Sequence, residues 1–313
     1  MIEDWDRNPE TAARLLDILT GLASEAAAAI VALRSPSLAV TTKADASPVT
    51  AADEAAQAII LNGLRRHLPG LPIVSEEAER SGILPGSSFA LVDPLDGTKE
   101  FISGRDDFTV NIAIIHDGTP YLGVVGAPAM GTIWRGIVGG IAERLTVAPG
   151  AAPEAATERV AIRTRPAPTA GLTAAVSRSH LDPVTVDFLK HLQVKDQVGA
   201  GSAVKFCRIA EGSADVYPRF GTTCEWDIAA GHAVVLAAGG AIAAPDGTPL
   251  SYGHSERDFR VPGFIAWGDP SAAKASGYGT SLAATSGQCC AAAAMICRVC
   301  AANAARFSGL LNR

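Results

Sequence analysis

"ALVDPLDGTKEF", residues 90–101, runs an apolar segment straight into two aspartates with a proline and a leucine between them. Gly97 and Thr98 follow Asp93 and Asp96 at once. Two carboxylates aimed at one place repel, and one takes up a proton unless a cation holds both. A simple turn needs only one Asp, so the second asks for a metal. Three more acids stand where strands or loops hand over to helices: Asp53 in "TAAD", Glu76 after "PIVS" and Asp227 in "CEWDIAAGHAV". Each has a plainer reading alone. Asp53 fits a capping box after Thr50, and Glu76 or Asp227 fits a first-turn acid favoured by the helix dipole. Five together, two of them inside "DPLDGT", read better as a shared divalent site.

Oxygen ligands without histidine or thiolate select Mg²⁺, with Mn²⁺ as a substitute, over zinc. Such ions accompany phosphate esters, where a pair of them activates water and neutralises the leaving oxygen. Gly97 can offer a backbone N–H to a phosphate oxygen, and the Thr98 hydroxyl can orient a water. Four other motifs fail. "LDGT" lacks the Asp-x-Asp spacing of haloacid-dehalogenase phosphatases. "GAGSAV" at 199–204 lacks the third small residue and the later acid of a dinucleotide site. Neither a Walker A sequence nor a nucleophile elbow is present.

Composition bounds the partners. The 313 residues are 48% hydrophobic and 19% charged, with a net charge of -6 and no basic run. That argues against nucleic acid and leaves room for a small anionic substrate whose sign is reversed by bound cations. Glu3, Asp4, Asp6 and Arg7 do not suit a secretory signal, and Glu25 interrupts the apolar run at 22–33, so no membrane span is expected. Only Cys207 and Cys224 precede residue 289. A disulfide framework would spread its cysteines through the fold, so a reducing cytoplasm is expected.

Helical spacing covers 10–33, and a second helix is expected from about residue 50 to 68 after the polar "TTKADASPV". "LPIVSEEAE" and 89–92 read as strands. "FTVNIAIIHDGTPYLGVVGAPAM" reads as a hairpin turning at Asp117 and Gly118, and "ERLTV" as a further strand. The Pro- and Ala-rich stretch 148–169 marks a boundary. Beyond it strands at 174–177, 215–217 and 264–267 alternate with helices from Pro183, from Ser202 and over 227–238. The expected division is an α+β metal-binding domain at 1–168, an α/β substrate domain at 169–268, and a poorly ordered Ala- and Cys-rich tail at 269–313. "CRVC" at 297–300 has zinc-ligand spacing but no second pair.

"DPLDGTKEF" together with "WDIAAGHAVVLAAGG" resembles the metal-dependent, lithium-sensitive phosphatases of the inositol monophosphatase superfamily, in consistent order from about residue 10 to 268. "DGTKEF" ahead of "FTVNIAII", and "GSAVKFCRIAEGSADVYPRFG" later, are similar to its CysQ-like branch of 3'(2'),5'-bisphosphate nucleotidases. Inositol monophosphatases more often read "DGTTNF". The resemblance implies a layered αβαβα sandwich of the inositol monophosphatase and fructose-1,6-bisphosphatase type. It implies Glu76, Asp93, Asp96, Asp227 and the Leu95 carbonyl as ligands of two or three Mg²⁺ ions. Asp53 and Thr98, with Glu76, would activate the attacking water, and Lys43 would lie near the metal-site loop. Gly97, Thr98, His180, Ser202, Lys205, Arg219 and Asp227 would hold the substrate. Lys205 and Arg219 also fit surface charges, and His180 also fits a helix cap.

The implied activity is removal of the 3'-phosphate of adenosine 3',5'-bisphosphate, a reaction of sulfur metabolism. An inositol-1-phosphatase or sugar monophosphatase on the same scaffold is the alternative. A non-catalytic metal- or nucleotide-binding regulator is the reading from another class, and a homodimer is left open.

Overall fold

A computed structural model describes residues 8–34, 40–42, 48–78, 85–178 and 181–275. Helix α1 (Pro9–Ala32) starts at Asn8, whose side chain accepts the Glu10 N–H at 2.9 Å. A ribbon of β1 (Val40–Thr42) and β2 (Pro48–Thr50) leads into α2 (Ala51–His67). Strands β3 (Ile73–Ser75) and β4 (Ser88–Asp96) pair in parallel. The short α3 (Thr98–Ile102) precedes β5 (Thr109–His116), β6 (Thr119–Ala127), β7 (Thr132–Ile137), β8 (Ala142–Thr146) and β9 (Glu158–Ala161). From β3 to β9 these strands form one sheet in chain order, antiparallel after the first pair. The β5–β6 turn uses positive φ at Asp117 and Gly118, 46° and 70°, as an Asp-Gly hairpin requires.

The rest of the described chain supplies β10 (Leu172–Ser177), α4 (Pro183–His191), β11 (Val194–Ala200), α5 (Val204–Ala210), β12 (Val216–Arg219), β13 (Thr223–Cys224), α6 (Glu225–Ala237), β14 (Ala241–Ala243), β15 (Arg260–Val261), β16 (Phe264–Trp267) and α7 (Pro270–Ala275). A mixed five-stranded sheet has the order β11-β10-β12-β16-β14, and β13 pairs separately with β15.

Alternation along the strands builds the layers. Ala90, Val92, Val110, Ile112 and Ile114 pack beneath α1 and α2. Their neighbours Phe89, Leu91, Ala113 and Ile115 face the other way, toward Phe206 and Ile209 of α5 and Ala230 and Val234 of α6. That same cluster reaches Tyr217, Phe264 and Ala266 of the second sheet. Outside the second sheet, Val176, Val216 and Ile265 meet Phe188 and Leu189 of α4 and Ala272 and Ala273 of α7. The result is the αβαβα sandwich. Helix α6 lies so close to the first sheet that a Cβ on Gly123 would stand 2.3 Å from the Ala230 carbonyl oxygen. Side chains there would push the helix away.

The structure departs from the sequence reading in several places. β4 runs through Asp93 to Asp96 as strand, not turn. Strands β7, β9, β11 and β14 were not expected, and β9 lies inside the Pro- and Ala-rich stretch. Helix α5 begins at Val204, past Ser202, and α6 begins two residues ahead of Asp227. Regular chain continues past 269 as α7. By length and composition α1 could cross a membrane, with a mean hydropathy of 1.7 in its most apolar stretch, although 56% of that stretch is buried in the protein. Lys43, His180 and "CRVC" lie outside the described residues.

Candidate active site

Asp93 pairs with Asn111 on β5, yet Asp96 pairs with Thr109, so the register shifts between the two aspartates. Two residues of β4, Pro94 and Leu95, therefore oppose one of β5, which is a β-bulge. Residues three apart in a regular strand point to opposite faces, but the bulge removes one step. Asp93 and Asp96 thus share a face with Asn111 and Thr109. Both donors touch Asp96 Oδ2, Asn111 Nδ2 at 3.4 Å and Thr109 Oγ1 at 3.5 Å. Leu95 turns its side chain into the α1–α2 core, and its N–H donates to Asp93 Oδ1 at 3.0 Å.

Thr98 hangs over the bulge, its hydroxyl within donating range of Leu95 O at 3.2 Å and Asp53 Oδ1 at 3.1 Å. Asp53 arrives from α2, where its Oδ2 accepts the Thr50 N–H at 2.8 Å and the Thr50 hydroxyl at 2.7 Å. Asp227 does the same for α6: its Oδ2 accepts from Cys224 N at 2.9 Å and from the Thr223 hydroxyl. The helix-cap reading of these two acids holds, and it occupies one oxygen of each.

Glu76, Asp96 and Asp227 line one cavity, and Asp93 is buried behind them, close enough to Glu76 for a hydrogen bond. Burial pushes Asp93 well above the usual carboxylate range, and Glu76, Asp96 and Asp227 push it further. Asp96 is raised to about 7 by burial and Asp227, with Lys205 and Arg219 pulling the other way. Burial also raises Asp53. Among the described residues no three acidic, His or Cys side chains stand in ready ligand geometry. The cluster's charge, with the buried Asn111 Oδ1 lacking any hydrogen-bond partner, fits a hard cation drawn into it.

Two cations line the same cavity. Lys205 is buried, its ammonium held by Ser202 O at 2.7 Å and Ala200 O at 3.3 Å and lying 5.2 Å from the Tyr217 ring centre. Burial lowers its pKa to about 8. Half-buried Arg219 donates to Gly221 O and Thr222 O, both at 3.4 Å. Ser202 does not start a helix: it has φ of 50°, and its hydroxyl donates to Asp96 O at 2.8 Å. The cavity has a volume of ≈ 180 Å³ and is lined by Gly97, Thr98, Ser202, Lys205 and Arg219 as well as the acids. Sequence reading missed Thr109, Asn111, Tyr217 and Thr223. The one signal was Asn111, a polar residue interrupting the apolar "FTVNIAII".

A metal-assisted phosphatase is the class that this fold and this acid-lined, cation-flanked cavity define. The chain belongs to the inositol monophosphatase family, whose sequence model matches residues 12–278. The 3'(2'),5'-bisphosphate nucleotidase CysQ of Escherichia coli (strain K12) is 42% identical over 239 residues, covering 72% of this chain and 87% of that protein. The CysQ of Buchnera aphidicola subsp. Acyrthosiphon pisum is 37% identical over 266 residues, 81% of this chain and 93% of its own. Among solved structures, CysQ from Bacteroides thetaiotaomicron superposes with a TM-score of 0.68 at 32% identity, covering 82% of this chain and 97% of that one. The inositol monophosphatase from Anabaena (Nostoc) sp. PCC 7120 gives 0.66 at 26%, covering 85% and 94%.

Proposed function

We propose that this chain is a Mg²⁺-dependent 3'(2'),5'-bisphosphate nucleotidase that removes the 3'-phosphate of adenosine 3',5'-bisphosphate. The observation that carries the reading is one cavity lined by both signs: an acid cluster that needs cations, and beside it two cationic side chains. A substrate with one reacting and one non-reacting phosphate matches both. The likeness to the CysQ nucleotidases supports it.

Glu76, Asp93, Asp96, Asp227 and the Leu95 carbonyl would hold two or three Mg²⁺ ions, with Asp53 contributing to one of them. Bound there, divalent ions neutralise phosphate charge and make water more acidic. The chain's own residues do the rest. Thr98 orients the attacking water, and its hydroxyl passes a proton toward Asp53 Oδ1, whose pKa is raised by burial. Gly97, with φ of 92° and no Cβ, brings its backbone close to the phosphate. Lys205 and Arg219 grip the second phosphate with charge-assisted hydrogen bonds. The family resemblance assigns substrate binding to His180 as well. The deciding assay measures phosphate release from adenosine 3',5'-bisphosphate and from inositol 1-phosphate, with and without Mg²⁺. Faster Mg²⁺-dependent release from the nucleotide is expected. Preference for inositol 1-phosphate would transfer the site to a monophosphatase, and no release from either would leave a binding protein.

A further inference from the structure

Backbone carbonyls set the place of the Lys205 ammonium, and those carbonyls belong to the irregular peptide at 199–203. β11 ends at Ala200, α5 begins at Val204, and Ser202 between them sits in the left-handed region that a side chain disfavours. A peptide of that shape needs fastening.

Asp107, from the loop between α3 and β5, does the fastening. It is only 4% exposed. Its Oδ2 accepts the Gly201 N–H at 2.6 Å and Arg178 Nη1 at 2.7 Å. The approach is so close that a Cβ on Gly201 would stand 2.6 Å from Asp107 O and 3.0 Å from its Cγ. Arg178 grips the same peptide again, donating from Nη2 to Gly199 O at 2.6 Å, while its own N–H reaches Ala200 O at 3.3 Å. Asp107 Oδ1 is buried with no hydrogen-bond partner. A buried carboxylate left half-satisfied is a poor way to stabilise a fold. It is not among the residues lining the cavity. Whatever it does for the reaction, it does through the peptide it holds.

We infer that Asp107 is a positioning residue for substrate binding: through the Gly201 peptide it fixes the carbonyls that aim Lys205 into the cavity. The inference rests on the reading that Lys205 takes the non-reacting phosphate. Asp107 stands on the loop between α3 and β5 and Lys205 on α5, so this strap joins two segments far apart in the chain.

The test is a double-mutant cycle on the full chain with saturating Mg²⁺. Asp107→Ala and Asp107→Asn are made alone and with Lys205→Ala, and kcat and KM are measured for adenosine 3',5'-bisphosphate, with melting temperatures alongside. Asp107→Ala should raise KM roughly tenfold, the size of coupling found between residues of one network, with kcat little changed. That effect should vanish once Lys205 is alanine. Asp107→Asn, whose carbonyl oxygen can still accept the Gly201 N–H, should lose less, and Asp107→Glu should recover part of the loss. The same fold-loss in the Lys205→Ala background, or a loss confined to kcat, would overturn the inference. Should Asp107→Ala not fold, the Asn cycle decides in the same way. Should the wild type prefer a monophosphate, the nucleotidase reading fails by itself. The melting temperatures of the same variants, read without substrate, then decide: non-additive losses at 107 and 205 sustain the strap, and additive losses remove it.

Discussion

The Thr98 hydroxyl donates to Asp53 Oδ1 across 3.1 Å, joining the start of α3 to the first turn of α2. Thr50 holds the other Asp53 oxygen, so the side chain has one orientation available and one oxygen left for chemistry. Burial raises the pKa of Asp53 in the metal-free protein.

Thr98→Ala removes the hydroxyl and no charge. It should lower kcat by about 10²–10⁴-fold, the usual worth of a general-base relay, while the Mg²⁺-induced rise in melting temperature persists. Thr98→Ser should recover most of the rate. Asp53→Asn keeps an oxygen for the Thr50 cap and loses the base, so turnover falls with little change in stability. Asp53→Ala should lose about 1 kcal/mol more from the cap. Near-normal turnover of Thr98→Ala would remove the relay.

Asp96 gives the site a pH signature. Its folded pKa of about 7 lies above the ordinary 3.8, so across that window the folded metal-free protein holds a proton that the unfolded chain has released. This contribution to stability is present at low pH and is lost as pH rises toward 7. Mg²⁺ prefers the ionised acids and displaces the proton, so its affinity should rise over the same window. Thermal melts with Mg²⁺ and with chelator should therefore differ more at about pH 8 than at about pH 5. Asp96→Asn should flatten the difference. Identical Mg²⁺ shifts at both pH values, or full activity after exhaustive chelation, would defeat the metal reading.

Much of this was legible because it is local. α1, α2 and the β5–β6 hairpin announce themselves through apolar period, the Thr50 cap and an Asp-Gly turn. β9 and β11 do not, because most of their residues are exposed and carry no alternation. Asp93 and Asp96 were recognised as a pair, but as a turn. What puts them on one face is a register shift against Thr109 and Asn111, and pairing register is not written in the segment itself. The Asp107–Gly201 contact spans 94 positions in the chain and has no sequence signature.

Gly97 tests how tightly the two sides of the cavity are joined. A Cβ there would stand 2.1 Å from Ser202 Oγ, at a φ of 92° that L side chains rarely adopt. Gly97→Ala should cost on the order of 1–3 kcal/mol in chemical denaturation and should also depress turnover by displacing Ser202. Ser202→Ala loses only the hydrogen bond to Asp96 O and should cost about 0.5–1.5 kcal/mol. A Gly97→Ala protein with the wild-type midpoint would show that the bulge and the Ser202 loop move independently.

Lys205 and Arg219 separate a bisphosphate from a monophosphate, but the structure gives each a second effect. Both lie close enough to Asp96 to lower its pKa, so removing either cation also makes the acid cluster harder to ionise. The two effects respond differently. Loss of grip on the non-reacting phosphate cannot be restored by metal, whereas weakened ionisation of Asp96 can be offset by more Mg²⁺. Kinetics are best compared at about pH 7.5, below the Lys205 pKa of about 8, where the wild-type ammonium is still charged. Lys205→Ala or Arg219→Ala should then raise KM for adenosine 3',5'-bisphosphate by about one to two powers of ten, since a charge-assisted hydrogen bond contributes roughly 1.5–3 kcal/mol. The rise should survive saturating Mg²⁺. Any loss on a small monophosphate should shrink as Mg²⁺ is increased. Equal losses on both substrates at saturating metal would place these cations in the metal site or the fold instead.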